Sequence, residues 1–589
     1  MERRTLLAIF LSLLVLFVYQ QFAPKPPKPP VPTRAPNSQA ARSDGKSTSA
    51  SADAAATAPA TTADSSRVSH PASAPPPALV SDASKRDIKV ETRDVIAVFT
   101  NKGGRLESWR LKHYLDRDKQ PQELVETGVA GQPLPFSLQT SNEAANDIVN
   151  DALYKVTGAP DGPVQDAPVD LQFEYRDTAG LHVLKEFHLE PSSYIATVRA
   201  TVEINQESEG SKAHAEGAAS TVPVTILWGP AVGDISENTR YIQKPSGILF
   251  QNDRVVRLAP KDFAKQSTYE GDFRYAGVDD NYFMTVALFP GTATLSFRPV
   301  SIPPPPGSSD PARDLVAYSI ETKSPTPVKF FAGPKDFDVL ASIDLQATKA
   351  INFGMFAVIV VPLLRSLKWV HGYVGNYGWS IVVLTVIINV ITFPIRHKGV
   401  VSMRKMQEIQ PEVKAIQDRY AKLKTTDPAK QKMNQELMAL YREKGVNPVS
   451  GCVPQLLTLP ILWAMWSLLS TAIELRGAPF FGWIHDLTAH DPFYVTPILM
   501  GASQLWQQRL TPATGGDPAQ QKMMMFMPVV FTFMFLWLPA GVTIYYAASN
   551  LFGIGQQYLT NYLIGPPRLR APRPPAERRA KAVAGAKGG

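Results

Sequence analysis

Three stretches of this chain are too long and too free of charge to belong to a soluble core. Residues 371–395, 445–473 and 523–567 contain no Asp, Glu, Lys or Arg over 25, 29 and 45 positions. A helix needs about 20 mostly apolar residues to cross a bilayer, so a wholly soluble fold is excluded. The averages conceal this. Of the 589 residues 19% are charged and the mean hydropathy is −0.10, ordinary values for a soluble protein. Charge is therefore concentrated elsewhere, which excludes a bare bundle of membrane helices as well.

Residues 5–24 are also uncharged and follow Arg3 and Arg4. Tyr19, Gln20, Gln21 and Phe22 are poor residues for signal-peptide cleavage. Residues 1–23 thus read as an anchor with a cytosolic N-terminus, with a cleaved signal peptide as the alternative. Residues 24–84, rich in Pro, Ala, Ser and Thr, can bury too little apolar surface to fold and form a tether. From 85 to 338 short β-branched and aromatic runs alternate with turns, as in VIAVFT from Val95 and IATVRATVEI from Ile195. Such runs predict antiparallel sheets packed as a sandwich, lying outside the inner membrane because the anchor starts inside. Trp109, Trp228, Tyr275 and Tyr282 read as its core rather than as a sugar-binding cluster. Residues 346–371 contain an uncharged run that is short for a span and ends in Arg365, Lys368 and Trp369. This predicts an amphipathic helix lying on the membrane, with a span as the alternative.

A core of residues 372–565 should hold five more spans, at about 376–395, 452–472, 493–510, 523–538 and 541–561. Residues 396–448 carry twelve Lys or Arg against six Asp or Glu, and the tail from Gly565 carries seven against Glu577 alone. The loop 471–492 has Arg476 as its single basic residue. The positive-inside rule then puts both termini and residues 396–448 in the cytosol, in agreement with six spans. Within 397–447, Met406, Ile409, Val413, Ile416, Tyr420 and Leu423 recur at alternating spacings of 3 and 4, a coiled-coil seam. Asp427 and Pro428 start a second helix, Met433, Leu437 and Leu440 face the first, and Gly445 ends it. This is a helical hairpin, on which Arg404, Lys405, Lys414, Arg419, Lys422 and Lys424 offer a basic docking surface. The tail, 566–589, suits ribosomal RNA or anionic lipid equally.

Polar residues inside the spans are the candidate site. Thr385, Asn389, Thr392 and Arg396 fall 4, 3 and 4 apart and share a helix face. Tyr546, Asn550, Gly553 and Gln557 do the same in the last span, and Gln455 and Thr458 form a shorter pair. Polar groups in hydrocarbon turn toward a bundle interior or a water-filled cavity. Interhelical hydrogen bonding, worth about 0.6 kcal/mol per contact, is the simpler account; for Asn389 with Arg396 the two accounts stand level. No span holds an internal carboxylate, which argues against a proton-coupled pump. A single Cys and nine scattered His offer no Cys-rich metal site, and no nucleophile–base pair or phosphate loop is found. The expectation is a non-enzyme with no catalytic residue, cofactor or metal.

Several stretches resemble family motifs: YVGNYGWSIVVLT from Tyr373, MRKMQEIQPEVKAI from Met403, ELRGAPFFGWIHDL from Glu474 and FLWLPAGVTIYYAASNL from Phe535. In content and order the chain resembles the YidC/Oxa/Alb family of membrane-protein insertases, in its Gram-negative form. The resemblance implies a polytopic α-helical membrane protein with six transmembrane helices, five of them an insertase core, and an all-β periplasmic super-sandwich domain. It implies an insertase and membrane chaperone, acting alone or with the Sec translocon through a hydrophilic groove open to cytosol and lipid. Implied partners are nascent membrane proteins, SecYEG with SecDF, the ribosome, the signal-recognition-particle receptor and anionic lipids, and not DNA. At one position the chain departs from the family. Where the family has a groove arginine after the Ser-Ile-Val-Val-Leu-Thr stretch, this chain has Asn389. Arg396, two turns on and about 10 Å along the axis, is expected to supply that charge. A transporter or channel, or an anchored periplasmic carbohydrate-binding protein, is the alternative function.

Overall fold

The computed structural model describes residues 76–565 except 117, 128, 130, 161, 163, 205–219, 232–242, 303–312, 323–325, 421–428, 447–452 and 511–517. The anchor, most of the tether, Lys422, Lys424 and the basic tail lie outside the described residues.

The first part builds two antiparallel sheets. In the smaller one, Asp87–Glu91, Val95–Thr100, Arg105–Leu115 and Pro121–Glu123 pair in sequence order. The larger has 14 strands, with Val169–Asp177, Leu181–Leu189, Ile195–Ile204, Val328–Pro334, Phe283–Ile302 and Thr268–Asp279 side by side at its centre. Strand Leu181–Leu189 alternates buried and half-buried residues along its whole length, the pattern of a sheet with one face in a core. Phe99 of the smaller sheet meets Phe187 of the larger at 4.9 Å. Trp109 Nε1 donates to the Ala332 carbonyl at 2.8 Å. The two sheets thus close on one core, in which Trp109, Trp228, Tyr275 and Tyr282 are all buried.

Two expectations change here. The β region starts before residue 85, because Ala78–Val80 pairs with the edge of Val169–Asp177; backbone pairing needs no distinctive side chains. Nor is the region wholly β. Helix α1 (Glu143–Asp151) is capped by Asn142, which accepts from the Ala145 amide, and buries only Ala145 and Val149. Two apolar positions leave almost no periodic signal. Helix α2 (Phe337–Ile343) follows the last strand and is capped by Asp336.

The second part is helical. Helix α3 (Ala357–Val374) begins later than 346, because Leu345–Ala350 forms a 3₁₀ turn capped by Asp344 and Gly354 takes φ +65°. With its leading turn it is 21 residues long, enough to cross a membrane by length and composition. Helix α4 (Tyr377–Glu408) is one rod of 32 residues. It joins the stretch expected to span at 376–395 to the start of the hairpin without a break. Then come α5 (Gln410–Arg419), α6 (Ala429–Glu443), α7 (Val453–Thr471), α8 (Val495–Leu510), α9 (Pro518–Phe535) and α10 (Ala540–Ile564). The hairpin has its own small core, with Ile409, Val413, Ile416, Leu440 and Val446 buried and Met406, Tyr420, Met433 and Leu437 against them. These are the described members of the predicted seam, interrupted at Ile409 because Pro411 lacks the N–H that would continue α4; Leu423 and the predicted helix start at Asp427 and Pro428 lie outside the described residues.

Polar contacts tie the two parts together. Lys368 on α3 pairs with Asp338 on α2 at 2.8 Å and with Glu474, in the loop after α7, at 2.7 Å. Burial pushes the Glu474 carboxyl up, against the opposing pull of Lys368. Arg476 donates to the Leu115 carbonyl and to Gln122 Oε1, both at 2.7 Å. Asn281 Nδ2 reaches the Ser470 carbonyl at 3.1 Å.

Candidate functional site

The helical periodicity puts Thr385, Asn389 and Thr392 on one face of α4, and all three are buried. The two hydroxyls are used within the helix. Thr385 donates to the Ile381 carbonyl at 2.6 Å and Thr392 to that of Ile388 at 2.9 Å, a back-bond that hides a threonine's polarity. Asn389 is different. Its Nδ2 donates to the Thr385 carbonyl at 2.8 Å and reaches Ser549 Oγ on α10 at 3.5 Å. Its Oδ1 accepts from Arg396 Nη1 at 2.6 Å. From α10, Gln556 Nε2 donates to the Asn389 carbonyl at 3.0 Å, and His397 lies 3.3 Å from Thr560 Oγ1.

This is a polar seam inside an apolar shell. Val383, Val386, Val390 and Ile391 on other faces of α4 are exposed, as are Phe526, Val529, Val530 and Phe533 on α9. Outward apolar and inward polar residues are the arrangement a bilayer demands. Arg396 is the seam's cation. Its bonded partner is a neutral amide oxygen, and among the described residues no carboxylate pairs with it. A carboxylate is the stronger acceptor for a guanidinium, so an incoming acidic group can compete for this position. Among the described residues no proton-transfer or nucleophilic constellation accompanies it, and no cluster of His, Cys, Asp and Glu could hold a metal.

The first part of the predicted stripe on α10, from Tyr546 to Gly553, faces elsewhere, whereas Gln557 donates to Asn561 Oδ1 at 3.1 Å, the oxygen that also accepts from Arg404 of α4. Tyr546 packs edge-to-face on Phe535 of α9 at 4.9 Å. Asn550 Nδ2 donates to Ser503 Oγ on α8 at 3.2 Å. Gly553 admits Gln507, since a Cβ there would collide with the Gln507 amide nitrogen. The wall opposite α4 consists instead of Ser549, Gln556 and Thr560. They lie 7 and 4 apart, and Ser549 and Gln556 stand one residue before Asn550 and Gln557, a rotation of about 100°; at the end of α10 Asn561 joins this wall. The polar spacing that marks them was present in the sequence. The expectation fell instead on the polar face one residue further on. Thr458 is half-buried on α7; the Gln455 side chain lies outside the described residues.

On the hairpin, Lys405 and Lys414 are exposed, and Arg419 is exposed while pairing with Glu436 at 3.0 Å. Arg404 does not belong to that docking surface. It is 8% exposed, and its guanidinium donates to Asn561 Oδ1 and to the Gly565 carbonyl oxygen. The last carbonyls of a helix lack intrahelical donors and favour a cation, and α10 ends beside Arg404.

Comparison with known proteins agrees with this architecture. Residues 369–565 match the family described as 60Kd inner membrane protein, and residues 87–366 match the YidC periplasmic domain. The chain is 33% identical to the membrane protein insertase YidC of Geobacter metallireducens, over 95% of this chain and 98% of that one. It is 30% identical to that of Syntrophus aciditrophicus, over 95% and 99%. A solved structure of an active YidC insertase, with the first transmembrane domain resolved, is 20% identical with a TM-score of 0.34, covering 83% of this chain and 95% of that one. With such identity maintained from end to end, the chain belongs to the YidC family of membrane protein insertases, inner membrane proteins with a periplasmic domain that act on other membrane proteins and are not enzymes.

Proposed function

We propose that the seam between α4 and α10 is the recess in which this insertase receives the hydrophilic end of an incoming membrane segment. The observation that carries this reading is Arg396, a cation among apolar helices held by the amide of Asn389 and, among the described residues, by no carboxylate. Moving a polar or acidic group from water into hydrocarbon is costly. Exchanging Asn389 Oδ1 for the segment's own acceptor lowers that cost at the depth where it arises. Thr385 and Thr392 line the recess. Tyr546 and Asn550, which contact α9 and α8, hold the neighbouring helices around it, and Gln455 and Thr458 are proposed to extend its polar lining. The apolar exteriors of α4 and α9 give the segment a lateral way into lipid. The transporter and sugar-binding alternatives give way to the family.

The topology that goes with this reading has six spans, both termini and the hairpin in the cytosol, and the β domain in the periplasm. It is supported by the basic excess in residues 396–448 and in the tail. Lys405, Lys414, Arg419, Lys422 and Lys424 then dock the ribosome or the signal-recognition-particle receptor. The tail binds the ribosome or anionic lipid, and SecYEG with SecDF is the translocon partner. Complementation of a depleted host tests the recess. Arg396→Ala and Asn389→Ala should each impair growth and insertion, and Asn389→Arg, which restores the family residue, should support both. Wild-type behaviour of both alanine variants would sink the proposal.

A further inference from the structure

We infer that Arg404 is a positioning residue: it clasps the hairpin ends of α4 and α10 together and sets how far the polar seam opens at that end. This goes beyond the recess reading, on which it rests only for the view that the hairpin end faces the cytosol.

The two ends of the α4–α10 contact are built from different forces. At the end near Asn376, Ile381 and Leu384 of α4 and Val542 and Ile544 of α10 are buried. A Cβ added to Gly541 would lie 3.6 Å from Ile381 Cδ1, and the Gly541 amide donates to the Leu487 carbonyl at 2.8 Å. Packed apolar groups have no substitute partner, and separating them leaves a void. From Asn389 onward the named contacts across the seam are polar: Gln556 with the Asn389 carbonyl, His397 with Thr560, and Arg404 with Asn561 and Gly565. Where water reaches, a hydrogen bond is exchanged at small net loss. The pair is therefore fixed at its first end and able to part at its second.

Arg404 is the strongest of these polar contacts. It is charged, buried and bound to two acceptors, Asn561 on α10 and the Gly565 carbonyl that caps it. One of them is the carbonyl at the end of that helix, where the dipole favours a cation. Among the described residues no carboxylate pairs with Arg404, so the clasp joins a charge to dipoles and is reversible. It also lies where outside forces converge. The hairpin core begins at Met406 and Ile409, and the basic tail leaves from Gly565. A partner that pulls on either works directly on the clasp.

The test uses the full chain with Cys452→Ser, reconstituted in liposomes, and two single-cysteine reporters. Ser549→Cys reports beside Asn389. Thr543→Cys reports at the far end, where Thr543 Oγ1 bonds Thr496 on α8 at 3.0 Å. The rate of labelling by a small water-soluble maleimide is read for each. Arg404→Ala should raise the rate at Ser549→Cys about tenfold, and Arg404→Lys by less, because the charge remains and the fork is lost. The rate at Thr543→Cys should not change. Asn561→Ala, which leaves the bond to Gly565, should raise the first rate about threefold and serves if Arg404→Ala fails to assemble. An unchanged rate at Ser549→Cys in the assembled variant overturns the inference. So does an equal rise at both reporters, which would mean general loosening. Labelling needs no substrate, so its failure is distinct from a failure of Arg396 to receive one.

Discussion

In the periplasmic domain Lys185 is fully buried. Its ammonium donates to the carbonyls of Gly103, Phe136 and Gly104 at 2.6, 2.9 and 3.3 Å. In the helical core Arg396 is half-buried, and its named bond is to the amide of Asn389, seven residues away on the same helix. Among the described residues neither pairs with a carboxylate, yet their surroundings differ. The acceptors of Lys185 come from segments far apart in sequence that only the completed fold brings together, and no water can replace them. Burial accordingly pushes the Lys185 ammonium well below its ordinary range. The acceptor of Arg396 is local and neutral, and a better one can displace it. The first arrangement makes a rigid scaffold, and the second makes a place where partners change.

Four substitutions test this contrast. Lys185→Ala should have the largest effect, a loss of about 4 kcal/mol, because a long buried side chain is truncated and three buried carbonyls lose their donor. Urea titration of the full chain, followed by proteolysis of the periplasmic domain, measures it; a loss near zero would remove the scaffold side of the comparison. Next comes Asp280, whose Oδ1 accepts from the Tyr282 and Phe283 amides. Burial pushes its carboxyl up to about 6, outweighing those bonds and Lys335. The folded value lies above the ordinary one. The stability it contributes is therefore fully present below about pH 4 and is lost as pH rises through about 6. Asp280→Asn keeps the acceptor and should flatten that slope, stabilising the domain at pH 7 by roughly 2–3 kcal/mol. A pH series of melting temperatures decides it.

The helical core should respond more weakly to loss of a single polar contact. Asn550→Ala removes the bond to Ser503 and should cost about 0.6 kcal/mol, read by unfolding in mixed micelles. A loss of several kcal/mol would show that polar contacts there are as hard to replace as those in the β domain. Arg419→Ala breaks an exposed pair with Glu436 and should change hairpin stability by at most about 0.5 kcal/mol, measured by hydrogen exchange across residues 410–443. A larger effect would make this pair part of the hairpin's structure.

Much of this was legible from local pattern. The 3.6-residue period put Thr385, Asn389 and Thr392 on one face, and spacing alone marked Ile409, Val413 and Ile416 as a seam. Helix α1 escaped because Ala145 and Val149 are too few to show a period. The later start of α3 turned on Asp344 as a cap and on the left-handed backbone of Gly354, single residues whose effect depends on what surrounds them.

Which segments are apolar, which carry basic charge, and that Asn389 and Arg396 share a helix face all follow from the chain read locally, because charge and period are local properties. Which face of α10 meets them depends on packing between helices distant in sequence. Ser549 and Asn550 are equally polar and one residue apart, and packing against α8 and α9 selects between the two rotations. It also moved Arg404 from an exposed basic surface to the buried end of α10, since a guanidinium goes to whichever unpaired acceptors the fold brings within reach.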